Sequence, residues 1–217
     1  MTANAQGYTP GEELANVATH ALGALLSVAG LGALVVLATA TGDPVKLATG
    51  AVFGASLLLL YSASTLYHAL RRARAKHLAK LLDHASIYLL IAGTYSPFTL
   101  VTLRGPLGLG LFIAVWVLAG LGVGLEAFWV YRPKWLSAAV YLAMGWMVTI
   151  ASKELFAALA PGGLWLLFGG GLFYSLGTAF YVLKRVRYTH AVWHAFVVAG
   201  SLCHFLAVAW YVMPASR

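Results

Sequence analysis

Residues 188–212 read YTHAVWHAFVVAGSLCHFLAVAWYV, a run without Asp, Glu, Lys or Arg that nevertheless carries histidine at 190, 194 and 204. A bilayer core takes about 20 apolar residues of helix, so this stretch reads as a spanning helix. Imidazoles in such a helix are costly unless something inside the bundle binds them. His190 and His194 stand one turn apart on the same helical face, a spacing that lets two rings grip one ion.

The rest of the chain has the same character. It comprises 217 residues, 61% hydrophobic and only 9% charged, with a mean hydropathy of +0.84, whereas soluble domains carry roughly 25% charged residues. An integral membrane protein follows. The net charge of +8 does not indicate nucleic acid, because the basic residues fall in short clusters between apolar runs and no basic stripe alternates with aromatics. Cys203, the single cysteine, lies within an apolar run and has no partner for an intrachain disulfide. The first residues lack the pattern of a cleaved signal peptide, so the first apolar run is expected to remain as a spanning helix.

Turn residues and basic clusters cut the sequence into seven such runs. The first extends from about Leu14 to Thr41 and ends at Gly42-Asp43-Pro44, which reads as a C-cap glycine, an N-cap aspartate and a first-turn proline. The second stops at Leu70, before Arg71-Arg72-Ala73-Arg74-Ala75-Lys76; the third covers Lys80 to Thr102; the fourth covers Leu107 to Val130. The fifth reaches Ala158, the sixth ends at Lys184-Arg185-Val186-Arg187, and the seventh continues to Met213. The expected fold is an all-α, seven-transmembrane helix bundle forming one domain over residues 1–217, with a short polar segment at 1–9. Trp129, Tyr131, Trp135 and Trp165 sit at run ends as interfacial anchors.

Loop charges orient the bundle. Arg71, Arg72, Arg74, Lys76, Lys80, Arg132, Lys134, Lys184, Arg185 and Arg187 share the side of the amino terminus, against Lys46, Arg104, Lys153 and Arg217 on the other. The bias places the amino terminus in the cytoplasm and the carboxyl terminus outside. No inverted repeat of the transporter kind is visible.

On this topology His68 ends the second helix, Asp83 opens the third, and His190 with His194 opens the seventh. Three helices thus bring ligand-type side chains to one membrane depth. His68, His190 and His194 would leave a fourth tetrahedral position open, as catalytic zinc sites do. Asp83 is placed to orient a water held there or take its proton, and Ser64, one turn before His68, to hydrogen-bond water, substrate or a ligand. Glu13, Asn16 and His20 line one face of the first helix and read either as a polar interior stripe of a capped helix or as support for the metal ligands or contacts to a polar headgroup. Glu12 belongs to a capping box with Thr9. His77 reads as a solvated loop residue and His84 as interfacial, and His204, about 15 Å deeper than His194 at helical rise, as the mark of a polar cavity. Glu126 is left with three choices: Arg132, Lys134 or a cavity.

Glu13-x-x-Asn16-x-x-x-His20, Ser64-x-x-x-His68, the Asp83-containing start of the third helix and His190-x-x-x-His194, with the Arg132-Pro133-Lys134-Trp135 loop, resemble the motifs of the hemolysin III proteins. These are bacterial members of the progestin and adiponectin receptor family. The resemblance covers essentially the whole chain. It implies a seven-helix bundle with an inside amino terminus and zinc held by His68, His190 and His194, with Asp83 acting through water. It also implies kinship with membrane hydrolases such as alkaline ceramidases, a role in membrane lipid homeostasis, and the haemolytic activity of the family's name. Glu126 matches no motif of the family.

Three functions are thereby weighed for a multi-pass protein of the plasma membrane. One is a zinc-dependent hydrolase of a lipid amide or ester bond; another is a regulator of membrane state in which zinc is structural; the third is a cytolytic pore former. The third has little support, since uniformly apolar helices make a resident membrane protein. The sequence specifies neither the lipid nor the oligomeric state, and imidazole ligands also suit iron, nickel or copper.

Overall fold

Proline and short polar side chains set where the helices start. Thr9 accepts a hydrogen bond from the Glu12 amide while the Glu12 carboxylate accepts from the Thr9 amide, and Pro10 fills the first turn of α1 (Pro10–Thr39). The Asp43 carboxylate accepts from the amides of Val45 and Lys46 and starts α2 (Pro44–Ala69), after Gly42 has turned the chain at φ +67°. The computed structural model describes residues 7–130, 132–183 and 186–214. Tyr131, Lys184, Arg185 and Arg217 lie outside the described residues.

The remaining helices are α3 (Ala73–Pro97), α4 (Gly105–Trp129), α5 (Lys134–Trp146), the short α6 (Ser152–Ala158), α7 (Pro161–Val182) and α8 (Thr189–Ala207). Together with their flanking turns they make seven segments long and apolar enough to cross a membrane, α5 and α6 forming one of them. Among the described residues there are no strands. In sequence order α1 packs on α2, α2 on α3 and α3 on α4; the circuit is closed by α3 with α5, α5 with α7, α7 with α8 and α8 with α1. Six helices therefore surround an interior, and α4 lies outside it against α3.

Two boundaries and the interior of one span differ from those expected. α3 begins at Ala73 rather than near Lys80, because the Ala, Arg and Lys residues of the basic stretch are strong helix formers outside the hydrocarbon, where an apolar-run criterion does not detect them. α1 likewise begins at Pro10, ahead of Leu14. The fifth span contains a 3-10 turn at Met147–Ala151, where the amide of Val148 donates to the Tyr95 hydroxyl at 2.7 Å. Pro97 removes one backbone donor near the end of α3 and a π turn, Phe98–Leu103, follows. The hydroxyls of Ser96 and Thr99 donate to the carbonyls of Ala92 and Tyr95 at 3.0 and 2.8 Å around that break, as a helix interrupted inside a membrane requires.

Candidate metal centre

The end of α2 and the start of α8 meet with their imidazoles facing. One ring nitrogen from each of His68, His190 and His194 lies within 4.8 Å of the other two. The Nε2 atoms of His68 and His190 are 3.3 Å apart. Two ligands bound at 2.0–2.1 Å to a tetrahedral zinc stand roughly 3.3–3.4 Å apart, so this pair already has the edge length of a metal polyhedron. His194 is fully buried, and its Nε2 has no hydrogen-bond partner. A buried lone pair of that kind is a cost unless a cation or donor meets it, and the donor set fits zinc.

The opposite ring edges are held by α1. The Nδ1–H of His68 donates to Glu13 Oε2 at 2.6 Å, and the Lys76 ammonium donates to Glu13 Oε1 at 2.7 Å. The Nδ1–H of His194 donates to the Asn16 carbonyl at 3.2 Å, with the Thr19 hydroxyl 3.1 Å away. A carboxylate and a carbonyl only accept, so both rings are fixed as the tautomer with an Nε2 lone pair. This is the carboxylate–histidine and carbonyl–histidine arrangement that orients metal ligands. His20 stacks on His194, ring centroids 3.5 Å apart and planes 14° from parallel. Glu13, Asn16 and His20 therefore lie against the histidine cluster. Local sequence explains it: residues 13, 16 and 20 share one face of α1, the face turned toward α2 and α8.

Asp83 stands in the third turn of α3, since that helix starts early; it is buried and is not within the 4.8 Å histidine group. The buried Ser64 hydroxyl faces its carboxyl without forming a well-aligned hydrogen bond. Asp83 borders two spaces. One is a polar vestibule of about 460 Å³ that also reaches Tyr8, Lys134 and His190. The other is a mainly apolar cavity of about 120 Å³ among the six helices, running from His20 and Asp83 to His204.

A second polar group lies beside the vestibule. Glu126 accepts a hydrogen bond from Arg132, each side chain being 1% exposed, and the Tyr141 hydroxyl lies 3.3 Å from the same carboxylate. Arg132 also donates to the Tyr88 hydroxyl at 2.9 Å. Of the three choices open to Glu126, Arg132 is the partner. His84, expected to be interfacial, is mostly covered and turns Nδ1 to 3.5 Å from Glu126 Oε2.

Sequence reasoning missed Tyr8, Thr19 and Lys76. Tyr8 stacks on His190 at 5.2 Å, covering the cluster from the segment that precedes α1. Its burial, first, and then the nearby Glu13, Glu12 and Asp83 carboxylates push its phenol well above the ordinary range, so it stays protonated. The available signal was position: Tyr8 directly precedes the capping box, whose geometry fixes how the chain enters α1. Glu12 serves that box and also accepts from the Tyr188 amide at 3.1 Å, holding Tyr188 at φ +62° just before α8.

Fold and site together define a seven-span helical membrane protein with a three-histidine cluster at one end of its bundle. A family model described as Haemolysin-III related matches residues 8–205, and the chain belongs to that family. It is 45% identical over 204 residues to the Hemolysin-3 homolog of Bacillus subtilis (strain 168), covering 94% of this chain and 96% of that protein. It is 42% identical over 203 residues to Hemolysin-3 of Bacillus cereus, covering 94% and 93%. A more distant likeness, 27% over 207 residues, joins it to the human Monocyte to macrophage differentiation factor, covering 93% of this chain and 84% of that one.

Proposed function

We propose that the protein is a zinc-dependent hydrolase that cleaves an amide or ester bond of a membrane lipid. The observation that carries this reading is the position of Asp83, beside the histidine cluster and bordering both the polar vestibule and the apolar cavity. An amphiphile with its headgroup in one space and its acyl chain in the other has its linking carbonyl at that boundary. His68, His190 and His194 hold the ion, which when bound supplies a Lewis acid and lowers the pKa of a water near it to about 7.

Asp83 takes the proton from the water that attacks the scissile carbonyl and returns it to the departing amine or alcohol. Ser64 orients that water or the carbonyl from one turn below His68. Glu13 and the Asn16 carbonyl keep the imidazoles in the tautomer that presents Nε2. Tyr8, neutral and stacked on His190, closes the cluster toward the vestibule. The apolar cavity excludes bulk water and aligns the chain. The charge bias of the loops supports an orientation with this end of the bundle at the cytoplasmic face of the plasma membrane, where turnover of inner-leaflet lipid would serve membrane lipid homeostasis.

The test is a pair of variants of purified protein. His194→Ala should lose both zinc, by elemental analysis, and lipid cleavage. Asp83→Asn should keep zinc and lose cleavage by about 100-fold or more, the ordinary worth of a general acid–base group. A competing reading, a structural zinc that clamps α2 to α8 in a non-enzymatic regulator, is favoured by the ligands' origin on only those two helices. It is the correct one if zinc-loaded protein cleaves no amide or ester lipid and Asp83→Asn keeps the full biological effect.

A further inference from the structure

The apolar cavity ends at a histidine whose proton can be located. His204 lies on α8 ten residues beyond His194, about 15 Å along the helix, and is 8% exposed. Its Nε2 is 2.9 Å from the Leu167 carbonyl. A carbonyl only accepts, so Nε2 carries the hydrogen and Nδ1 carries a lone pair. That Nδ1 is buried and has no partner. The ring cannot readily turn away, because it lies flush over Gly170, where even a Cβ would come within 2.4 Å of Cδ2.

The hydroxyls around this end are committed elsewhere. Thr94 donates to the Leu90 carbonyl at 2.7 Å and Thr178 to that of Tyr174 at 2.8 Å. Tyr95 donates to the Met144 and Gly145 carbonyls at 2.9 and 2.7 Å. Ser175 donates to Gly171 at 2.7 Å and accepts from the Trp146 indole at 3.0 Å, and Tyr174 shares its hydrogen bond with Ser201 at 2.7 Å. The deep end of the cavity is thus greasy, and His204, which lines it, carries a buried acceptor that lacks a donor.

We propose that the cavity selects acyl chains carrying a hydroxyl group, its O–H donating to His204 Nδ1. This deepens the proposed hydrolase and rests on its reading of the cavity as an acyl site. The 15 Å between His194 and His204 corresponds to roughly ten to twelve extended carbons with C–C bonds near 1.5 Å, which sets where along the chain the hydroxyl belongs. A plain hydrocarbon leaves the lone pair unsatisfied. A keto group at the same carbon also fails, because it has no hydrogen to donate.

The experiment is competition for labelled octadecanoate on the zinc-loaded full chain in detergent micelles, using octadecanoate, 12-hydroxyoctadecanoate, 12-oxo-octadecanoate and 6-hydroxyoctadecanoate. The 12-hydroxy acid should bind about five- to tenfold tighter than octadecanoate, the worth of one hydrogen bond to a buried unsatisfied acceptor, and the other two no tighter. His204→Phe should erase the advantage and keep octadecanoate binding. Equal binding of the hydroxylated and plain acids overturns the proposal, since a buried water then serves Nδ1; so does a 12-oxo acid that binds as well as the alcohol. The positional comparison on unmodified protein decides the matter even if the variant fails to fold. Absence of saturable binding by every acid would refute the acyl site itself and the lipid reading with it, whereas binding without discrimination refutes only the hydroxyl preference.

Discussion

Replacing Glu13 by Gln tests whether α1 acts on the metal through His68. Glu13 is the shared acceptor of two short charge-assisted bonds, 2.6 Å from His68 Nδ1 and 2.7 Å from Lys76 Nζ, and the three side chains are at most 16% exposed. Solvent therefore screens these bonds little. The carboxylate makes the His68 imidazole a better σ-donor at Nε2, and loss of such a partner costs about 10- to 100-fold in metal affinity, or about 1.4–2.7 kcal/mol. Glu13→Gln keeps the shape and removes the charge. Its zinc dissociation constant, measured in detergent by competition with a chromogenic chelator, should rise by that factor while the helical content stays unchanged. Lys76→Met gives the sign control: without the ammonium, Glu13 becomes a stronger acceptor for His68, so zinc affinity should stay level or rise. Wild-type affinity in a folded Glu13→Gln protein, or an equal loss in Lys76→Met, would refute the coupling.

Glu126→Leu or Arg132→Met alone should lower stability by about 3–5 kcal/mol by stranding a buried charge, while the double substitution Glu126→Leu/Arg132→Met should lose far less; thermal unfolding in detergent reads both, and strictly additive losses would argue against a coupled pair. Gly23→Ala puts a Cβ 2.5 Å from the Tyr61 ring and should cost about 1–3 kcal/mol through overpacking. Gly32→Ala, with nothing within 4 Å, should be neutral or stabilising by up to about 1 kcal/mol in the same assay. Removing zinc with a chelator should speed amide hydrogen exchange at the start of α8, residues 189–194, and leave the middle of α2 protected; uniform exchange in both states would show that the ion does not tie the helices.

Where apolar runs are interrupted by Gly-Asp-Pro, Arg-Gly-Pro or Pro-Gly-Gly, helix number and order could be read directly, because a spanning helix needs an unbroken apolar length and these residues end it. The histidine cluster was legible for a similar reason. His190 and His194 share a helical face by spacing alone, and the depth of His68 follows from where α2 must end. The start of α3 was not legible, since Ala73 to Lys80 is helical for reasons of propensity and hydropathy does not register propensity. Lys76 became a site residue only because that early start carries it alongside Glu13. The pairing of Glu126 with Arg132 was hidden by a different cause: it depends on how the chain turns between α4 and α5, and sequence distance allowed Lys134 equally well. The proton on His204 could be assigned only once Leu167 on the neighbouring α7 was in place.

Helix association in a bilayer lacks the hydrophobic drive available in water, which explains why polar groups bridge helices at both ends of this bundle. At one end Glu13 joins α1 to α2 and α3 through His68 and Lys76, and Glu12 joins α1 to the approach to α8 through the Tyr188 amide. At the other end the buried Lys46 of α2 donates to the carbonyls of Met213 and Pro214, beyond α8, where carbonyls lack helical partners and a cation is favoured. The middle combines close packing, as where Tyr61 lies against Gly23, with interhelical hydrogen bonds such as that of the Tyr61 hydroxyl to Ser201. An ion shared by His68, His190 and His194 would strengthen the link from α2 to α8 that the 3.3 Å contact between His68 and His190 already makes. Support from α1 fixes an Nε2 lone pair on His68 and another on His194, and a cation bound among the three rings would satisfy both.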